Sequence, residues 1–406
     1  MSLVLSSLVL GVVSMSSAVD VVRQEDLSLA EAIAQGEFGG SLRARYEDVS
    51  LSGDKDAQAP TLALRAFYES ERYQFFSAQF EYTSISSISG DENYFDGSNG
   101  ENDDALVADP ERSFFSRYSV AYDISNTVLR YGRQNLVLDN GRFIGRETHR
   151  QGESQVRGVT LFNESLDFLE LNAGHLTRFD SAFGKTLPET SPDIRANYFN
   201  ARYSGFMHSD LSFYSYSIDS LGESDLWDTQ TDGVRFSGEI ESDFSLSYAF
   251  ELARQKDSGD NPVAYSTRYS LVELGIGNPE IRVFVGKESL GAEGAGLFVT
   301  PLAALHNFQG GADVFANSGL GNIDGGIADK YARLAGTIGG FDLDLAYHRY
   351  EPDQGVSRGH VLGEEWNAGV SYKWAYAEIA ARFADYHARR YGLDTRKCWL
   401  DISAAF

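Results

Sequence analysis

The sequence predicts an all-β fold: a transmembrane antiparallel up-and-down β-barrel of about 18 strands. Three observations predict it. Apolar and polar residues alternate over unusually long segments, short and long connections alternate along the chain, and aromatic residues gather at segment ends. Phe244–Leu252 reads F-S-L-S-Y-A-F-E-L, Phe341–Tyr347 reads F-D-L-D-L-A-Y, and Trp366–Trp374 reads W-N-A-G-V-S-Y-K-W. Strict alternation is the strand signal. The segments run about 9–12 residues; a tilted membrane-crossing strand needs roughly 9–11, whereas soluble strands peak near 5–6. Tyr46, Tyr82, Tyr122, Tyr203, Trp366 and Trp374 stand at segment ends, where interfacial girdles belong.

In chain order, residues 1–18 read as a secretory signal peptide. An apolar core precedes Ser16-Ser17-Ala18, with cleavage expected after Ala18, although the basic N-region is incomplete. Residues 19–37 read as a short periplasmic or plug segment, with a helix-like pattern over 26–35 and Gly36 as its stop. The barrel is expected over 38–406. Strands are predicted at 38–48, 61–69, 73–86, 112–122, 127–134, 154–163, 166–176, 194–205, 210–219, 231–239, 243–254, 265–276, 279–288, 328–338, 341–350, 364–372, 375–386 and 396–406. Short turns such as Asp123–Asn126, Glu164-Ser165 and Gly339-Gly340 separate long connections such as 87–111, 135–153 and 289–327. Outer-membrane barrels have this asymmetry and an even strand count. A soluble sandwich has no reason to alternate loop length. Both barrel ends then fall on the periplasmic side, and the last strand ends in Phe406, the residue read by the outer-membrane assembly machinery.

Composition agrees. The 406 residues include 22 Tyr, 26 Phe and 40 Gly but only 8 Pro, 3 Met and 1 Cys. That mix suits pleated strands joined by tight turns. No stretch beyond the first 20 residues resembles a membrane-spanning helix, which needs about 20 apolar residues. Lone Cys398 forms no internal disulfide and reads as a small strand residue. The net charge of −25 argues against nucleic-acid binding. Its densest acidic run is Asp91, Glu92, Asp96, Glu101, Asp103, Asp104, Asp109 and Glu111. That run reads as a solvated loop, with divalent-cation bridging to lipopolysaccharide as the alternative.

One strand face meets lipid and the other the lumen. A charge facing lipid costs roughly 2–4 kcal/mol at midplane. Arg43, Arg45 and Glu47 are therefore assigned to the lumen, opposite Leu42, Ala44 and Tyr46. The same parity places Arg65, Arg117, Arg130, Arg202, Arg282 and Lys373 inside, and Arg235 with them. Glu81, Glu170, Glu251, Glu288, Asp342, Asp344 and Glu378 face inward too. One reading is a wall of mutually paired ions; another is an arginine ladder guiding anionic solutes. The 135–153 loop carries Arg142, Arg146, Arg150 and His149, with Asn140-Gly141 allowing a sharp turn. Folded inward, it would set a constriction near Arg142. The seven histidines show no metal-binding spacing, and no G-x-S-x-G or Walker motif occurs. No catalytic residue, metal or cofactor is expected.

Gly40-Ser-Leu-Arg-Ala-Arg-Tyr-Glu47, Tyr131-Gly-Arg-Gln-Asn135 with Arg142-Phe-Ile-Gly145, and Phe298-Val-Thr-Pro-Leu-Ala-Ala-Leu-His-Asn-Phe-Gln-Gly310 resemble the alginate export family of outer-membrane porins. The resemblance spans almost the whole mature chain. It implies an 18-stranded monomeric barrel in the bacterial outer membrane with an electropositive pore. It also implies pore-lining roles for Arg43, Arg45, Arg133 and Arg142. The first expectation is a porin-like channel for anionic solutes, uronate-type oligo- or polysaccharides among them. The second is a polysaccharide export pore with periplasmic partners. The third is a non-channel barrel, an enzyme using His208-Ser209 or an adhesin. Lipid bilayer, lipopolysaccharide and an anionic carbohydrate are the expected partners.

Overall fold

Eighteen long antiparallel strands form one closed sheet, in which the first strand pairs with both the second and the last. The computed structural model describes residues 27–406 apart from 54–55, 90–92, 102, 184–190, 223–224, 243, 279, 317–319 and 355–359. The expected signal peptide, with Asp91 and Glu92, lies outside the described residues. The strands are β1 (Glu37–Leu51), β2 (Ala57–Glu69), β3 (Phe76–Ser87), β4 (Arg112–Ile124), β5 (Thr127–Gln134), β6 (Gln155–Leu166), β7 (Leu169–Asp180), β8 (Asp193–Phe206), β9 (Ser209–Ser220) and β10 (Thr229–Ile240). They continue as β11 (Ser245–Asp257), β12 (Ser266–Gly277), β13 (Ile281–Leu290), β16 (Ile327–Ile338), β17 (Phe341–Glu351), β18 (Gly363–Trp374), β19 (Ala377–Ala388) and β20 (Thr395–Ala405). Two-residue strands β14 (Ala292–Glu293) and β15 (Gly296–Leu297) form a separate hairpin in the β13–β16 loop.

Every predicted long strand is present, but several reach further toward the long loops. β1 runs to Leu51 rather than 48, β2 begins at Ala57 rather than 61, and β11 continues to Asp257 rather than 254. Above the lipid band both faces meet water, so the apolar alternation that marks a strand fades while its hydrogen bonds continue. At the other rim the turns are tight. Ser125-Asn126 and Gly339-Gly340 have positive φ at both residues, as two-residue hairpin turns require. Tyr73 bridges to Phe76 with Gln74 at positive φ, which moves the start of β3 from 73 to Phe76.

Closure depends on the seam between β1 and β20. The Phe406 amide donates to Gly40 O at 3.0 Å, and the Gly40 amide donates to Phe406 O at 2.8 Å. A Cβ at Gly40 would stand 2.8 Å from the Phe406 ring, so glycine is what lets the terminal ring lie flat there.

Outward residues form an exposed apolar belt. Leu42, Leu64, Phe80, Leu129, Phe199, Phe213, Phe250, Val285, Leu345 and Leu400 all belong to it. Such a surface is stable only against lipid, and the closed barrel leaves no unpaired edge in it. The protein is thus an integral membrane barrel. No described helix is long and apolar enough to cross a membrane. The N-terminal helix α1 (Leu29–Ala34) is closed by a capping box between Ser28 and Glu31. It sits on the short-turn rim, where Glu71 N donates to Ala32 O and the Tyr68 hydroxyl donates to Ile33 O.

Candidate solute-binding site in the lumen

Parity puts the arginines where the sequence placed them. On β1, Arg45 and Glu47 are buried while Leu42 and Tyr46 are exposed to the lipid side. The pairing register then sets their partners. Arg45 lies opposite Asp401 of β20, and its Nε donates to the Asp401 carboxylate at 2.8 Å. Arg43 reaches the same carboxylate at 2.9 Å, and Arg382 of β19 at 3.1 Å. Three guanidiniums thus share one acid.

The loop 135–154 folds into the barrel and is pinned to this wall. Arg45 donates to His149 O at 2.6 Å, Arg43 to Thr148 O at 3.1 Å and Arg65 to Gln151 O at 2.8 Å. Arg150 returns from the loop to Glu47 at 2.8 Å. Glu153 receives Arg65 at 2.6 Å and also pairs with Arg146. Burial would raise the Glu153 carboxyl; Arg65 and then Arg146 outweigh it and hold it at about 2.

The loop's other end is fixed across the lumen. Arg142 Nε donates to Glu288 of β13 at 2.6 Å and its Nη1 to Thr300 Oγ1 at 3.1 Å, while its guanidinium lies 4.7 Å from the Phe308 ring. Phe143 packs among Tyr214, Tyr216, Tyr269 and Phe298. The β13–β16 loop also enters the lumen and joins the first. Gly145 N donates to Leu302 O at 2.8 Å, and His306 stacks on His149 with ring centroids 3.4 Å apart. Asp313 of this second loop binds Lys397 at 2.9 Å and His306 at 2.7 Å.

Between the first loop and the β19–β20–β1–β2 wall lies a recess of ≈ 600 Å³. Arg43, Arg65, Arg382, Glu153, Glu378, Asp401, Thr148, Ser41 and Ser403 line it. Five guanidiniums (Arg43, Arg45, Arg65, Arg146, Arg382) share just two carboxylates, Asp401 and Glu153, in their ion pairs. Glu378 adds a third acid, and one of its oxygens is buried with no hydrogen-bond partner. The lining itself is balanced, three arginines against three acids; Arg45 and Arg146 behind it bring the count to five guanidiniums against three carboxylates, in a partly desolvated place where charge acts strongly.

The other candidate arginines are placed differently. Arg117 pairs with Glu81, Arg202 with Glu170, and Arg282 with Glu239, one to one. Arg130 meets the neutral Gln79 Oε1 at 3.3 Å. Arg133 lies 3.3 Å from Asp180, which Arg157 and Arg178 also bind. Arg142 has a side chain with 0% exposure, so it clamps two loops together and presents no surface to the lumen. Arg142 thus ties the two inward loops to each other and to β13. Ser209 Oγ meets the Tyr248 hydroxyl at 2.5 Å, its contact in place of the expected His208 pairing. Arg382 and Asp401 were not singled out in the sequence, although Arg382 shares the parity of Glu378 on the same strand.

No protein-family model matches the chain, and no curated protein sequence matches it. Solved structures do. OccK3 (OpdO) of Pseudomonas aeruginosa is 14% identical, with 93% of this chain and 97% of that one covered at a TM-score of 0.70. OccAB4 of Acinetobacter baumannii is 16% identical, covering 91% and 98% at a TM-score of 0.72. OpdK of Pseudomonas aeruginosa, solved with vanillate, is 12% identical, covering 92% and 99% at 0.70. At these identities the likeness is one of architecture, and it extends over whole chains: the fold is the 18-stranded barrel of these outer-membrane proteins.

Proposed function

We propose that the protein is an outer-membrane channel for small anionic solutes, carboxylates above all, working as a single barrel. The observation that carries this reading is the cluster of five guanidiniums in and behind the recess (Arg43, Arg45, Arg65, Arg146 and Arg382), whose ion pairs among the described residues fall on two carboxylates. Guanidinium forks bind carboxylates bidentately and keep their charge at any physiological pH. A surplus on one wall concentrates anions locally even in an acidic protein. Arg117 and Arg130 continue the inward basic row on the neighbouring strands.

Uronate sugars are the solute class we favour. They join a carboxylate to hydroxyls that Ser41, Thr148 and Ser403 can meet, and the sequence resemblance to the alginate export family points the same way. The two inward loops favour monomers and short oligomers over a polymer. The vanillate of the OpdK structure supplies a second carboxylate to try.

The test is a reversal potential in planar bilayers under a salt gradient, followed by block with glucuronate, vanillate and neutral glucose. Anion preference is expected, with block by the two carboxylates alone. Arg43→Gln with Arg382→Gln should weaken both. Cation selectivity, or equal block by glucose, would reject the reading.

A further inference from the structure

The outer wall carries basic residues that the lumen does not use. On β11 the lipid-facing row Leu246, Phe250, Leu252 continues into Arg254 and Lys256, all exposed. On β12 the row Ile276, Leu274, Val272 leads up to Arg268, and on β13 Val283 and Val285 lead to Lys287. On β16 and β17 the same position holds Lys330 and Arg349. Every one lies toward the long loops, where the apolar belt ends. Tyr347 and Trp366 meet beside them with ring centroids 4.9 Å apart and planes inclined at 48°, at the level where an aromatic girdle belongs.

The register makes this a belt of like charges. Arg254 stands directly opposite Arg268; Lys287 stands opposite Lys330, which stands opposite Arg349. Like charges directly opposite destabilise a sheet. Lys330 and Arg349 are answered by Glu351. Arg254 bonds only the Ser266 hydroxyl, at 2.8 Å. Asp232, opposite Arg254 on β10, is engaged by Ser215 and Gln230. Among the described residues Arg254, Arg268 and Lys287 form no ion pair. In a chain of net charge −25, three outward cations near the end of the belt thus stand without an ion pair, Arg254 and Arg268 side by side and Lys287 lower, opposite Val272.

We propose that β11, β12 and β13 form a binding site for the phosphates of a phosphorylated glycolipid of the outer leaflet. Arg254 and Arg268 offer two planar forks to one phosphate, the geometry arginine is best at. Lys287 lies lower and runs its methylene stem along the belt toward the headgroups. The site is continuous with the lipid-facing surface, so acyl chains fall on Leu252, Val272 and Val285 while the phosphates meet the cations. It does not depend on what passes through the lumen.

The test uses the full barrel in detergent and native mass spectrometry with bis-phosphorylated lipid A, its dephosphorylated form and phosphatidylglycerol. The barrel should retain the bis-phosphorylated glycolipid in preference to both others. Arg254→Gln, Arg268→Gln and Lys287→Gln together should weaken retention roughly 100-fold, at about fivefold per basic residue near the surface. The charge-keeping Arg254→Lys, Arg268→Lys, Lys287→Arg form should bind within about tenfold of the original. Equal retention of the dephosphorylated glycolipid or of phosphatidylglycerol would overturn the site, and that comparison needs no variant. Undiminished binding by the triple glutamine form would overturn it as well.

Discussion

Arg142→Ala should unlock the lumen without unfolding the barrel. The side chain has 0% exposure and joins three partners: Glu288 at 2.6 Å, Thr300 at 3.1 Å and the Phe308 ring at 4.7 Å. Removing one member of a buried pair costs about 3–5 kcal/mol, because the other charge stays buried. Here the stranded group is Glu288, whose remaining partner is the Tyr269 hydroxyl at 2.9 Å. None of that energy is in the strand ladder, so the cost falls on the tie of the first loop to the β13 wall and, through Thr300 and Phe308, on its contact with the second loop. A shift of this size changes the ratio of joined to separated loops by roughly 100- to 3,000-fold. Single-channel recording should show larger or strongly fluctuating conductance, while heat-modified mobility on gels stays that of an intact barrel. Arg142→Ala with Glu288→Ala should fluctuate less than Arg142→Ala alone, since no charge is then stranded. Unchanged conductance and noise in the single variant would refute the clamp.

Other outcomes follow from the same geometry. Glu378→Gln removes an acid from the recess that forms no ion pair among the described residues, so anion preference should rise; about 1 kcal/mol of relieved repulsion gives up to roughly fivefold in permeability ratio, read from the reversal potential. Acid should loosen the loops in two stages. Burial, with His306 and Arg45 nearby, holds His149 well below 6.5, so its contribution is complete above pH 6.5 and is lost as pH falls. Glu153, held at about 2, contributes fully above 4.5 and fails only below that. Gating noise should therefore rise as pH falls below 6.5, and His149→Gln should remove that first stage. An unaltered pH profile in His149→Gln would exclude the histidine.

The barrel was legible because two constraints act on every residue of it. Lipid forbids charge on one face, so period-two alternation fixed strand after strand and sent Arg43, Arg65 and Arg117 inward. The same parity holds Arg382 and Asp401, which no local motif marks. What parity cannot give is a partner. Arg43, Arg45 and Arg382 converge on Asp401 because barrel closure brings residues 43 and 401 together, a fact set by the seam and by no local pattern. The role of Arg142 was hidden for a related reason. Its partner is 146 positions away on β13, and burial makes a loop residue expected to line the pore into an internal tie.

A net charge of −25 opposes the proposed anion pathway only as an average over the chain, and location resolves the conflict. Field strength in a narrow, low-dielectric passage follows the nearest charges; distant ones are screened within about 10 Å. Part of the acid excess lies on outer segments: Glu101 is exposed on the β3–β4 connection, and Asp225 stands between β9 and β10. Others are cancelled in place, as Glu239, Glu251 and Glu170 are by single arginines. The recess wall departs from that balance, because β19, β20, β1 and β2 bring their arginines onto too few carboxylates. On the proposed function, an anion entering there would complete a coordination that the protein leaves short, whereas a cation would have to displace an existing pair. That reading sets selectivity by local stoichiometry along four strands, so exchanging single lumen charges should move it while changes to the outer acids should not.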